Sequence, residues 1–230
     1  MNKRLQLICA WCGPAFLLFF VVGFWFVAGL VPPPSPAHNA AQIAAFYRDN
    51  AGQVRAGMVI CMVGLPLFIP FAALLSQHIR ERNPELALLA DVQMVCAAVA
   101  VMVFLVFEIL LATIVFRPEI SPDTIRTLND AAWTTLLWPF SPFSLEYAIV
   151  GVWILADRSE RPLHPRWVGY IGLLTAFVFA FGGPTLWVKD GAFSYDGALA
   201  FWAVLVAFGA WVMATAWTLI RSIKAAPQQA

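Results

Sequence analysis

The chain has 230 residues, of which 61% are hydrophobic and only 12% charged. Soluble proteins run at roughly 45–50% apolar and about 25% charged, so an ordinary soluble fold is excluded. A net charge of +1, spread over both ends and the loops, gives no basic block for nucleic acid and no acidic tail. A bilayer accepts apolar surface directly, and the expected fold is an all-α polytopic transmembrane helix bundle. It is read as one integral-membrane domain over residues 1–230.

A spanning helix needs roughly 20 apolar residues. Six stretches meet that length, at 5–31, 57–77, 86–116, 133–156, 167–188 and 198–220. The first follows Lys3-Arg4 and resembles a secretory signal, but it far exceeds the roughly 7–15 apolar residues of a signal core and is expected to stay as a span. Within it, Cys9-Ala10-Trp11-Cys12 has CxxC spacing outside any βαβ pattern, and reads as small apolar packing. Cys61 and Cys96 also fall in spans, so no disulfide framework is expected.

Between the first two spans, Ser35-Pro36 precedes Ile43, Ala44 and Tyr47; before the fourth, Ser121-Pro122 precedes Ile125, Leu128 and Ala132. Ser then Pro suits a helix start, because the hydroxyl caps free N–H groups and proline fits the first turn. Each segment carries one apolar face, so two short amphipathic helices are expected on the outer side, their shared start hinting at a duplicated hairpin. The third outer connection, 189–197, reads as a turn-rich linker.

Basic residues orient the chain. One side receives Lys3, Arg4, Arg80, Arg82, Arg158, Arg161, Arg166, Arg221 and Lys224; the other receives Arg48, Arg55, Arg117, Arg126 and Lys189. The richer side should be cytoplasmic, which places both termini inside a bacterial inner membrane. Trp11, Trp133, Trp167, Trp187 and Trp217 fall near predicted span ends, as interfacial anchors would.

Two acids stand out. Glu108 lies in the apolar run 99–112 and Glu146 in the run 143–150, neither with a Lys, Arg or His in its own span. A carboxylate in hydrocarbon costs several kcal/mol unless it is protonated, paired or wet, so an acid at membrane depth suggests function. Counting helical rise, Glu108 falls about 12 Å from Phe116 and Glu146 about 20 Å from Trp133. Antiparallel neighbours could bring both to one cavity, where they would share a proton, hold a cation or bind a polar head. Glu146 also follows Pro139 and Pro142, whose missing N–H groups free carbonyls for hydroxyls or water. Pro66, Pro70 and Gly182-Gly183-Pro184 supply further breaks. Interrupted helices often line midplane sites. The ligand-binding or proton-linked set is therefore Glu108, Glu146, Tyr147, Ser141 and Ser144, with Arg117, Arg126, Asn129 and Asp130 as an outer gate. Asp91, near the inner interface, should pair with an arginine there.

No cofactor and no metal are expected. His38, His78 and His164 sit at span ends or in loops, which disfavours a transmembrane haem or a di-iron centre, and the lysines flank spans, which disfavours a buried Schiff base. The GxxxxGK[ST], HExxH and GxSxG patterns are missing from the sequence. The leading reading is a protein that binds or transports a small apolar or amphipathic molecule between spans two to five. Its expected partners are the lipid bilayer, such a ligand, and a membrane protein or a second copy of the chain. Two other classes fit the same residues: a non-catalytic accessory subunit of a larger complex, and an intramembrane acid–base enzyme, for which no nucleophile is evident.

Overall fold

The computed structural model describes residues 2–225, which form helices and connections with no strand among them. Six helical stretches within this range are long and apolar enough to cross a membrane: Lys3–Val27, Ala51–Arg82, Pro84–Phe116, Pro122–Ala156, Arg166–Leu186 and Ala198–Ala225. This is the expected all-α six-span bundle, the architecture of a multi-pass membrane protein. Large apolar side chains such as Ile8, Leu88, Val106, Phe177 and Val206 stay exposed around it, a surface suited to lipid and not to water.

The first span is α1 (Lys3–Phe20), continued by a π-helical stretch at Val21–Val27. A short helix, α2 (Ala40–Asp49), leads into the second span, built from α3 (Ala51–Gly64) and α4 (Phe68–Arg82). Pro66 sits in the 3-10 turn that joins them, Leu65–Leu67, where its missing N–H does least damage to the ladder. The third span is the uninterrupted α5 (Ala87–Phe116). The fourth comprises α6 (Pro122–Leu137) and α7 (Phe140–Ala156), broken at Trp138-Pro139. In the fifth, α8 (Arg166–Phe179) tightens to 3-10 geometry over Ala180–Leu186, which holds the Gly-Gly-Pro sequence. The sixth starts as a π-helical turn at Ala198–Ala203 and continues as α9 (Val204–Ala225).

Packing closes these spans into a ring. The first packs on the second and the sixth, α5 lies between α3–α4 and α6–α7, and α8 lies between α7 and α9. Glycines allow close backbone approach between spans. A Cβ on Gly57 would lie 2.3 Å from the Gly23 carbonyl oxygen, and one on Gly151 would lie 2.9 Å from the Gly169 oxygen. Bare glycine surfaces let backbones approach in this way where lipid supplies no hydrophobic drive for helix association.

Three expectations are corrected. Helix α2 starts at Ala40 and not at Ser35-Pro36, because Asn39 and Gln42 form a reciprocal capping box: Asn39 N–H donates to Gln42 Oε1 (3.0 Å) and Gln42 N–H to Asn39 Oδ1 (2.9 Å). Ser35 instead shapes a turn, its carbonyl accepting from His38 N–H at 3.0 Å. The shared Ser-Pro start behind the duplication is thus confined to α6, where Ser121 Oγ accepts from Thr124 N–H (3.2 Å) and Pro122 takes the first turn. Second, α6 is not a short surface helix ending near Ala132. It runs to Leu137 and carries Trp133 into the bundle. Third, Trp133 is consequently no interfacial anchor: it is fully buried, whereas Trp11, Trp167, Trp187 and Trp217 are exposed as anchors should be.

The first and last helices, α1 and α9, meet at one end of the bundle, where Lys3 Nζ donates to the Lys224 carbonyl (3.0 Å). Arg80 pairs with Asp91 there as expected, and Arg82 donates to the Arg161 carbonyl (3.2 Å). The connection after α7 is held by His164, whose Nδ1 lies 2.6 Å from Thr218 Oγ1 and whose ring packs on Trp153. Burial, helped by nearby His78 and Arg82, holds the His164 imidazole down to about 3. In the unfolded chain it titrates near its usual value of about 6.5. Between those values the unfolded state binds the extra proton, so this contribution is intact above about pH 6.5 and is lost as pH falls toward 3, at up to about 1.4 kcal/mol per unit. Thermal unfolding in detergent between pH 7 and 4 should show a steeper loss for the parent protein than for His164→Asn. Parallel profiles would contradict that role.

Candidate functional site

Helices α3 and α5 border a groove of about 310 Å³ at the end of the bundle that carries α2. Its walls are apolar: Met58, Val59 and Met62 from α3, and Ile109, Ala112 and Val115 from α5. Val59, Met62 and Ile109 are also surface-exposed, so the groove opens sideways toward lipid. One acid interrupts the apolar lining. Glu108 reaches it, is only 1% exposed, and has no hydrogen-bond partner on either carboxyl oxygen. Buried polar groups almost always have partners, which sets this unpaired carboxyl apart from the apolar wall around it. Arg55 stands at the groove rim, with its Nε donating to the Val115 carbonyl at 2.9 Å, so its guanidinium caps the end of α5.

Glu146 is elsewhere. It is fully buried, and its Oε1 accepts from Gln93 Nε2 on α5 at 3.1 Å. Gln93 precedes Glu108 by 15 residues on the same unbroken helix, about 22 Å along its axis. The two glutamates therefore do not meet in one cavity, contrary to expectation. The count from Trp133 misplaced the second acid because Trp133 is not at the membrane surface. Its ring packs on Phe107, 5.2 Å between centroids, and so already lies at the level of Glu108.

None of the other expected ligand contacts is hydrogen-bonded to either acid. Tyr147 packs its ring on Trp211 (4.6 Å) and Phe179 (4.8 Å) and leaves its buried hydroxyl unpaired, while Ser141 is exposed and Ser144 is half-buried, also with an unpaired hydroxyl.

The expected gate also separates. Arg126 bonds Asp123 on its own helix (3.3 Å), and Arg117 lies over the Phe116 ring at 5.8 Å. Asn129 and Asp130 instead belong to a buried network. Tyr47 O–H donates to Asn129 Oδ1 (2.8 Å), Asn129 Nδ2 donates to Tyr195 Oη (2.9 Å), and Tyr195 O–H donates to Asp130 Oδ1 (2.9 Å). Burial and the nearby Asp130 charge push both phenols above their usual range, so each stays a neutral donor. The network ties α2, α6 and the 189–197 connection together as a latch. That connection folds inward, with Tyr195 stacked on Trp133.

A second cavity, of about 50 Å³, lies inside the ring and is lined by Phe20, Phe24, Phe104, Phe143, Phe201 and Phe208 among others. Both π-helical stretches reach it, through Phe24 and Phe201. Having no polar side chain in its wall, it offers no chemistry.

Sequence reasoning overlooked Arg55, Gln93, Tyr47 and Tyr195. Gln93 carried a usable signal, an amide inside a predicted span; Tyr195, in a turn-rich stretch, carried none.

The family described as Domain of unknown function (DUF4386) matches residues 12–222. No curated protein and no solved structure matches the chain.

Proposed function

The chain belongs to the DUF4386 family over nearly its whole length, and we propose that it is a membrane protein that binds a small amphipathic molecule drawn sideways from the bilayer. The ligand's apolar part lies along Met58, Met62, Ile109 and Ala112, and its polar end reaches Glu108. The observation that carries this reading is the unpartnered Glu108 carboxyl in an apolar, laterally open groove. Methionines suit such a surface, since their flexible thioethers adapt to different shapes. Pockets for small ligands are mostly apolar with a few placed polar groups, and roughly 300 Å³ is at the small end of their range. Glu146 is assigned a different role, cross-linking α5 and α7 through Gln93. The arginine-rich end, where α1 begins and α9 finishes, faces the cytoplasm in this reading, because its connections carry Arg80, Arg82, Arg158, Arg161 and Arg166.

Dicyclohexylcarbodiimide, a lipid-soluble reagent for protonated carboxyl groups, tests the groove in lipid nanodiscs. It should modify Glu108 and spare Glu146, and Glu108→Gln should remove the label, as read by peptide mass. A water-soluble carbodiimide should leave Glu108 untouched. A Glu108 that stays unmodified by the lipid-soluble reagent would show the groove closed to the bilayer and end this assignment.

A further inference from the structure

The groove's lining restricts the chemistry of its occupant. The titratable and charged groups facing Glu108 from α3 are Cys61 and Arg55, and Arg55 is turned to the Val115 carbonyl. At this level the first span and α6 present Phe24 and Trp133, the rings packed on Phe107. Asp130 on α6 and Tyr47 on α2 are held in the Asn129 network. The acid on α7, Glu146, is about 22 Å away along α5. No side-chain donor of the described residues is bonded to Glu108.

A bare carboxylate is strongly unfavourable in apolar surroundings, so such a group carries either a proton or a cation. A primary ammonium meets the site's demand fully. Its positive charge replaces the proton, and its N–H groups are the charge-assisted donors that the two carboxyl oxygens lack. Its alkyl chain matches Met58, Met62 and Ile109. An anionic amphiphile would face an acid whose neighbouring arginine is already engaged.

Resting on the groove reading above, we propose that the ligand is a lipophilic primary ammonium, which displaces one proton from Glu108 on binding. The neutral Glu108 carboxyl and the alkylammonium cation give a carboxylate–ammonium ion pair and one released proton. Charge balances, because the cation that enters replaces the proton that leaves. No covalent bond forms between ligand and protein, and no electron moves. Proton and ligand therefore exclude each other at a single carboxyl, the arrangement needed to couple a pH gradient to the movement of a hydrophobic amine.

Decylamine and decanol, equal in chain length but differing in charge, are the probes. Calorimetric titration of protein in nanodiscs at pH 7, in two buffers of different ionisation enthalpy, should show about one proton released per decylamine bound and none with decanol. Empty nanodiscs give the partitioning background, and Glu108→Gln should abolish the proton release. A second measurement needs no variant: decylamine should slow carbodiimide labelling of Glu108 about tenfold more than decanol does. Equal protection by decanol, or decylamine binding without proton release, overturns the ammonium class and leaves the groove reading standing. Failure of the carbodiimide to label Glu108 at all overturns both.

Discussion

Asn129→Ala should destabilise the protein by about 2–4 kcal/mol, because it strands the buried Tyr47 hydroxyl without an acceptor and takes a donor from Tyr195 at once. In the folded chain Asn129 is fully buried and uses its two ends differently, the carbonyl oxygen accepting from Tyr47 and the amide donating to Tyr195. Alanine removes both partners and leaves the Tyr47 hydroxyl in a closed site. Tyr47→Phe, which removes one hydroxyl without orphaning a second donor, should cost only about 1 kcal/mol. The loss should be local in its first effects. Amide exchange ought to accelerate in 40–49 and 189–197, the segments tied to α6 through this network, before it changes in α5. A thermal midpoint for Asn129→Ala within experimental error of the parent would show that the latch does not hold these segments.

The second large effect is expected at Gly57. Valine there would place a Cβ 2.3 Å from the Gly23 carbonyl oxygen and 2.6 Å from the Ala28 Cβ, distances that require the first and second spans to separate. Backbone cannot yield as a side-chain tip can. Overpacking of this kind typically costs about 1–3 kcal/mol, and the backbone clash places Gly57→Val at or beyond the upper end. A fall in the thermal midpoint of about 6–12 °C is the corresponding scale for a chain of this size. Gly52→Ala is the matched control, since a Cβ there meets nothing within 4 Å. Equal midpoints for the two variants would contradict the close-approach account of this interface.

The candidate site was only half legible in the sequence. Glu108 stood out because carboxyl groups in long apolar runs are rare and energetically costly, a property of the residue and its neighbours in the chain. The groove that gives it a use was not visible, since it depends on how Met58, Val59 and Met62 of α3 face Ile109 and Ala112 of α5. Glu146 looked equivalent by composition, yet Gln93 gives it a bonded partner inside the core. The gate failed for a related reason. Arg126 is near Asn129 in sequence but points to Asp123, while the groups that do reach Asn129 come from 82 and 66 residues away.

The six spans and the all-helical class were readable along the chain, because both follow from local quantities: the length of each apolar run and the need to satisfy backbone hydrogen bonds in lipid. The helix breaks near Pro66, Pro139 and Pro184 were marked there too, where a missing N–H acts within one turn. Depth and partnership came only with the packing of the helices. Helix α6 dips into the ring and sets Trp133 beside Phe107, so a ruler laid along the chain from Trp133 puts Glu146 at the wrong level. Spacing along one helix is fixed by its rise per residue, whereas the relative height of two helices is set by how their side chains interlock. That difference left Glu108 unpartnered in a groove open to the bilayer and gave Glu146 a bonded place in the core.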